Sequence, residues 1–300
     1  MEKVKHIIIK ENMKVTDLVG EMAGMGFGAR NISKASVIMK QMFSDKECTV
    51  FLGLAGAMVP AGMKNIVVDM IKNKKIDVLV TTGANLTHDL IEALGYNHYQ
   101  CDSWNDEEFH KKGYDRIYNV LMKNEAYEKL EDYFEKNWDV FSNSKTITEF
   151  LQKIGMTLNE SENSILRACH ENNIPIYCPA LADSGIGLMV WGRKAKGKKI
   201  TIDAFEDMKD IIDISWTSKK RGVIYIGGGV PKNFIQQSLQ FSKGADYGVQ
   251  ITTDRAESGG SSGAPLKEGV SWGKMNPKAN FVDVFCDATI AFPLIYASIK

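Results

Sequence analysis

The sequence lacks net charge: 37 lysines and arginines face 37 aspartates and glutamates over 300 residues. A dedicated nucleic-acid binder carries a basic excess, so that class is not expected. Paired cysteines are also missing. Cys48, Cys101, Cys169, Cys178 and Cys286 are odd in number, scattered, and form no CxxC. Four lie in or beside apolar runs, which reads as packed, reduced thiols in a cytoplasmic protein. The histidines at 6, 88, 98, 110 and 170 show no HxH or HExxH spacing, so no metal site is expected. No apolar window reaches the length of a membrane span, and the N-terminal "MEKVKHIIIKENMKV" has no signal-peptide cleavage site. Internal repeats and a GxGxxG fingerprint are absent too.

What is present is globular: 44% apolar and 25% charged residues. Strand-like runs at 48–56, 77–83, 174–181, 222–229, 247–253 and 281–288 are nearly continuous in apolar residues, as in strands covered on both faces. Amphipathic stretches at 62–74, 162–173 and 231–244 lie between them; Pro231 suits a first helical turn and Gly244 a helix C-cap. This alternation predicts an α/β chain with a Rossmann-like, doubly wound, mainly parallel sheet. The stretch from about 96 to 160 is polar, aromatic and helical in pattern, and is expected as a helical excursion on a single domain spanning 1–300. The Gly/Ser-rich patch at 258–264 has the composition of a linker. Strand-like runs flank it, so it reads as a loop inside the domain.

The predicted strands end in small residues or acids: Gly53 and Gly56, Thr82 and Gly83, Asp183 with Ser184, Gly227 to Gly229, Thr253 with Asp254, and Asp287 with Ala288. In a doubly wound sheet such ends share the ligand-binding edge. Glycines admit phosphates to the backbone, and acids accept hydrogen bonds from ribose hydroxyls. The same residues also make ordinary tight βα turns, and "GGGVPK" places Lys232 where a dinucleotide fingerprint has its third glycine. The pattern leaves a nucleotide site and plain turns equally open.

A lysine nucleophile attacks as the neutral amine, which desolvation beside aromatic and apolar groups favours. "VSWGKM" offers Lys274 that setting in Trp272, Gly273 and Met275, with Glu268 near enough in sequence to hold a cation or move a proton. On its own, a loop lysine beside a packed tryptophan is the simpler reading.

Larger blocks change the balance. "SSGAPLKEGVSWGK" closely resembles the active-site segment of the deoxyhypusine synthase family. So do "FLGLAGAMVPAGM", "DVLVTTGANLTHDLIEALG", "IPIYCPALADSGIG", "IYIGGGVPKNFI", "GADYGVQITT" and "VFCDATIAFPLIYA", in the family's order from about residue 48 onward. The resemblance implies a Rossmann-like homotetramer with active sites between paired subunits. It implies NAD as cofactor and a polyamine, spermidine, as aminobutyl donor. A lysine imine carries the butyl group, and a lysine of translation initiation factor 5A accepts it. By the same resemblance Lys274 falls on the nucleophile, and Glu268 and Trp272 on substrate-pocket positions. Thr82, Gly83, Asp183, Gly228, Thr253, Asp254, Asp287 and Ala288 fall on NAD-contacting positions.

Some positions depart from the eukaryotic pattern. Leu188 and Ser261 replace acids, Asn233 replaces a histidine, His88 replaces a glutamate, and "AGA" at 55–57 replaces Thr-Ser-Asn. Asn233 and Ser261 remain candidate substrate-binding residues. Each lost charge-assisted contact is worth about 1.5–3 kcal/mol, enough to change the preferred amine. The sequence leaves open a small amine acceptor, giving homospermidine, agmatine as donor, or a non-catalytic assembly protein. The intact SWGK segment argues against the last.

Overall fold

The computed structural model describes residues 2–159 and 163–300. Nine strands occur among them: β1 (Cys48–Leu54), β2 (Val78–Thr81), β3 (His98–Gln100), β4 (Tyr114–Ile117), β5 (Val120–Lys123), β6 (Ile176–Tyr177), β7 (Lys220–Ile226), β8 (Ala245–Thr252) and β9 (Met275–Phe285). The chain divides into two compact units interleaved along the sequence. One comprises Met1–Ala55, Lys75–Val80 and Met208–Lys300; the other comprises Gly56–Lys74 and Thr81–Asp207.

In the first unit the strands run in the order β2-β1-β7-β8-β9. The β1/β7, β7/β8 and β8/β9 pairs are parallel. Val50 to Leu54 and Arg221 to Ile226 are all buried, which is why these runs show no polar alternation. Both faces of the sheet are covered. A Cβ on Gly222 would touch Met42 of helix Phe27–Ser44, whereas one on Gly53 would touch Ile235 of helix Gly229–Gln240. Tyr225, paired with Gly53, points to the face opposite Gly222 because side chains alternate along a strand. The fold is therefore α/β with helices on both faces, as the sequence predicts.

Helix Gly229–Gln240 follows β7 after two glycines, begins on the third, carries Pro231 in its first turn, and buries Phe234, Ile235, Ser238 and Leu239 at helical spacing. It ends at Gln240, four residues before the predicted cap. Gly244 instead adopts φ +71° in the turn that enters β8, where a side chain would also strike the backbone of Met275 and Asn276.

The second unit is mainly helical. Helix Ala126–Phe141 buries Leu130, Phe134, Trp138 and Phe141 at near-helical repeats, and Phe134, Phe141 and Phe150 pack with ring centroids 5.3–6.3 Å apart, Phe141 edge to face on Phe150 and the other two pairs tilted. The predicted excursion is helical at 106–111, 126–141 and 147–157. It also holds an antiparallel sheet, β3-β5-β4, that the sequence reading did not anticipate. Its strands are three or four residues long and mostly half-buried, too short to establish a period. The excursion's end at 160 and the start of the predicted 162–173 helix lie outside the described residues; that helix runs Ile165–Asn172. The predicted 174–181 strand narrows to β6. No helix among the described residues is long and apolar enough to cross a membrane.

Candidate active site

The chain from Thr253 to Lys274 leaves the end of β8 and returns to the start of β9. It includes the Gly/Ser-rich patch, and it is fastened rather than loose. The Lys232 ammonium donates to the carbonyls of Ser261 and Ala264, each at 2.6 Å. Ser262 Oγ accepts from the Gly229 N–H at 2.7 Å, and Ser261 Oγ donates to the Gly229 carbonyl at 3.2 Å. The Asp283 carboxylate takes the Leu266 N–H at 3.0 Å. Gly228 is required here by close approach, because a Cβ would collide with Ser262.

A short helix, Glu268–Ser271, then turns the chain through Trp272 and Gly273 (φ +70°) to Lys274. The Lys274 N–H closes this turn on the Gly269 carbonyl at 2.8 Å. Its own carbonyl accepts from Ala245 N–H at 3.0 Å, which fixes Lys274 at the start of β9. Its Nζ lies 5.0 Å from the Trp272 ring centroid. Trp272 is 57% exposed, so in the single chain it offers Lys274 a π-face and does not provide the desolvating wall expected from the sequence.

A pocket of about 130 Å³ opens beside this turn, lined by Asn233, Ser261, Glu268, Trp272 and Lys274. All five substrate-site residues read from the sequence thus meet in one place. Gln236 and Ala264, which sequence reasoning missed, line it as well. In the sequence Lys232 reads only as the residue that stands in place of a third glycine. Its side chain is 1% exposed beneath the loop, and burial lowers its pKa to about 8 against the opposing pull of Asp283 and Glu268. A lone lysine inside "GGGVPKNFI" was the available signal.

The cofactor candidates lie elsewhere. In the first unit, Thr253, Asp254 and Asp287 are exposed and Ala288 half-buried, at the carboxyl ends of β8 and β9. These ends are adjacent, since Cys286 N–H donates to the Thr252 carbonyl at 3.1 Å. Asp287 also caps helix Ala288–Ile299, its Oδ1 accepting from Thr289 N–H and Oγ1 at 2.7 Å. Gly228 is buried, and the Gly229 N–H is already taken by Ser262, so this helix start is less open than three glycines suggest. Lys274 and Asp287 sit at opposite ends of β9. The seven steps of β8 from Ala245, beside Met275, to Thr252, beside Phe285, rise roughly 23 Å at 3.3 Å each.

In the second unit, Thr82 caps helix Gly83–Ala93 by accepting from Asn85 N–H at 3.2 Å. Gly83 is buried against Ser184, the next residue after the exposed Asp183. Leu188 is exposed on helix Gly185–Ala195. His88 is buried and bonds to His98, Nδ1 to Nε2 at 3.0 Å; His98 Nδ1 bonds to Glu92 at 2.7 Å, and Lys64 pairs with Glu92 at 2.6 Å. No group of three or more His, Cys, Asp or Glu among the described residues could hold a metal.

Comparison with known proteins gives the same family along almost the whole chain. The family profile for deoxyhypusine synthase matches residues 17–299. "Probable deoxyhypusine synthase 1" of Methanosarcina acetivorans is 43% identical over 300 residues, covering 99% of this chain and 94% of its own. "Probable deoxyhypusine synthase" of Methanothermobacter thermautotrophicus is 38% identical over 301 residues, covering 98% and 96%. The crystal structure of an Entamoeba histolytica protein assigned as a deoxyhypusine synthase shares the fold, with a TM-score of 0.66 at 20% identity, covering 96% and 93%. Profile, relatives and fold all span the segments that build the Lys274 pocket, and the chain belongs to the deoxyhypusine synthase family.

Proposed function

We propose that the chain is an NAD-dependent transferase that moves the aminobutyl group of a polyamine, spermidine in the first instance, through an imine on Lys274, with release of diaminopropane, to a lysine of translation initiation factor 5A. The observation that carries this reading is the pocket itself. It gathers Asn233, Ser261, Glu268 and Trp272 around the amine of Lys274 from positions up to 41 residues apart. Its volume of about 130 Å³ is far below the roughly 300–1,000 Å³ of drug-sized sites. That suits a slender aliphatic amine.

In this reading Glu268, exposed at the pocket mouth, pairs with the donor's ammonium and moves protons as amines exchange. The Trp272 face steers the cation toward Lys274. Lys274 supplies the nucleophilic nitrogen, and Asn233 offers a neutral hydrogen-bonding group where eukaryotic members carry a histidine. NAD, when bound, supplies the hydride acceptor and donor. The exposed Asp254 and Asp287 carboxylates fit its ribose hydroxyls, since Asp287 keeps one oxygen free of its helix cap. Asp183, Thr82 and Gly83 complete the proposed set. The wide separation of Lys274 and Asp287 along β9 favours a site completed by a second chain, within a homotetramer.

Borohydride reduction with labelled spermidine, putrescine or agmatine in the presence of NAD tests the reading. The wild-type chain should be labelled in the peptide containing Lys274, and Lys274→Arg should stay unlabelled while still binding NAD. The guanidinium does not deprotonate near neutral pH. Label on the variant, or transfer near the wild-type rate, would remove Lys274 as the nucleophile. Comparison of the three donors shows whether Leu188, Asn233 and Ser261 have changed the preferred amine.

A further inference from the structure

One row of the first unit's sheet is unusual for a buried parallel core. The register aligns Gly53, Tyr225, Gln250 and Asp283 across β1, β7, β8 and β9, so all four point to the face covered by helix Gly229–Gln240. Gly53 leaves room for the Tyr225 ring to lean over it. Tyr225 and Gln250 are fully buried. Lys232 comes down onto this row from the helix, with its Nζ 6.0 Å from the Tyr225 ring centroid. Burying a lysine is expensive unless its charge is hydrogen-bonded. Here the bonds go to two backbone carbonyls of one loop, Ser261 and Ala264, both on the pocket wall. Gln250 Nε2 donates to the same Ala264 oxygen at 3.2 Å, and Asp283 holds the Leu266 N–H. Four consecutive side-chain ties thus fix the backbone from 261 to 266.

We propose that Lys232 is a positioning residue: through the Ser261 and Ala264 carbonyls it holds the Gly/Ser loop as the wall of the Lys274 pocket, so the amine donor meets a preformed surface. It does not touch the donor. The proposal rests on the reading of that pocket as the amine site. Charge-assisted bonds to carbonyls are about twice as strong as neutral ones, and binding to an ordered wall avoids the cost of ordering it. The groups facing Lys232 are Asp283 on β9, Glu268 on the short helix, Lys274 at the start of β9 and Tyr225 on β7. With its pKa lowered to about 8, Lys232 changes charge in a range where the loop can be observed.

Two measurements test this. Lys232→Met removes the ties and keeps the side chain's length. The expected result is trypsin cleavage after the exposed Arg255 at least ten times faster than in wild type. The concentration of donor giving half-maximal imine should rise at least ten-fold, while maximal labelling at Lys274 falls less than two-fold. Gln250→Leu, which removes one of two donors to Ala264, should show the same split at a smaller size. Wild-type cleavage and half-saturation in Lys232→Met would overturn the proposal, as would a loss confined to maximal labelling. If that variant does not fold, wild-type hydrogen exchange decides. Protection at 261–266, normalised to an unstructured peptide of that sequence, should fall as pH rises from 7 to 9.5; constant protection would overturn it. Failure of the wild-type chain to form any imine would sink the functional reading, while the cleavage and exchange results would still report on Lys232.

Discussion

The ammonium of Lys274 lies 5.0 Å from the centre of the Trp272 ring, within range of a cation–π contact. Contacts of this kind are worth about 0.5–2 kcal/mol, depending on desolvation. The ring is also the broadest apolar surface facing the pocket. Trp272→Ala should therefore raise the half-saturating donor concentration by about 2–30-fold, and Trp272→Phe by less, because phenyl keeps a weaker face. Steady-state kinetics with the preferred amine checks this. Equal effects of the two substitutions would mean that a phenyl face rescues nothing, and would overturn the cation–π role.

Asp287 caps a helix and is also proposed to bind NAD, and a single alanine substitution would confuse the two. Loss of its helix cap costs about 1 kcal/mol of stability. Asp287→Ser keeps a capping oxygen and removes the carboxylate. The expectation is NAD affinity lowered at least ten-fold in both variants, with the melting temperature reduced only in Asp287→Ala. Calorimetric titration and thermal melts separate the two effects; undiminished NAD binding by Asp287→Ser would remove this carboxylate from the cofactor site.

The opposite placement of Lys274 and Asp287 makes complementation informative. If each site draws Lys274 from one chain and Asp287 from its partner, co-expressed Lys274→Arg and Asp287→Ser chains rebuild one intact site per mixed pair. Half of randomly formed pairs are mixed, so activity should recover to about a quarter of wild type. Activity no higher than that of the separate variants would place both residues in one chain's site.

Buried His88 gives the second unit an acid-sensitive element. Burial, and then the neighbouring His98, lower its pKa to about 4, with Glu92 opposing. Lys64 and Glu92 complete the charged surroundings. In the unfolded chain it titrates near 6.5, so as pH falls the unfolded state takes up the proton first. The stability is fully present above about 6.5 and is lost as pH falls toward 4, by about 1–3 kcal/mol. Melts of wild type and His88→Gln between pH 7 and 4 should diverge in slope, with wild type steeper. Parallel slopes would show that His88 does not titrate this way.

The sheet was legible because Val50 to Leu54 and Gly222 to Ile226 are apolar without interruption, which a strand buried on both faces requires. The pocket was legible only by resemblance, since nothing in the spacing of Asn233, Ser261 and Lys274 shows that they converge. What stayed hidden depends on tertiary partners. Lys232 and Asp283 look like surface charges until the loop closes over them. Strands β3 to β5 are too short to carry a period. Trp272 looked like a core residue because its exposure cannot be read from its neighbours.

The fastened loop also fixes where this chain can tolerate change. A Cβ on Gly260 would make only an ordinary contact with the Ser258 hydroxyl, at 3.6 Å, whereas any side chain on Gly263 would strike the Arg255 carbonyl. Neighbouring positions of identical composition are therefore under opposite constraint. Sequence drift can lengthen or decorate the tip near Gly260, and with it the approach to the pocket, while 261–266 stays anchored. Under the proposed function, the rim met by an acceptor changes at the tip while the wall beneath it is kept.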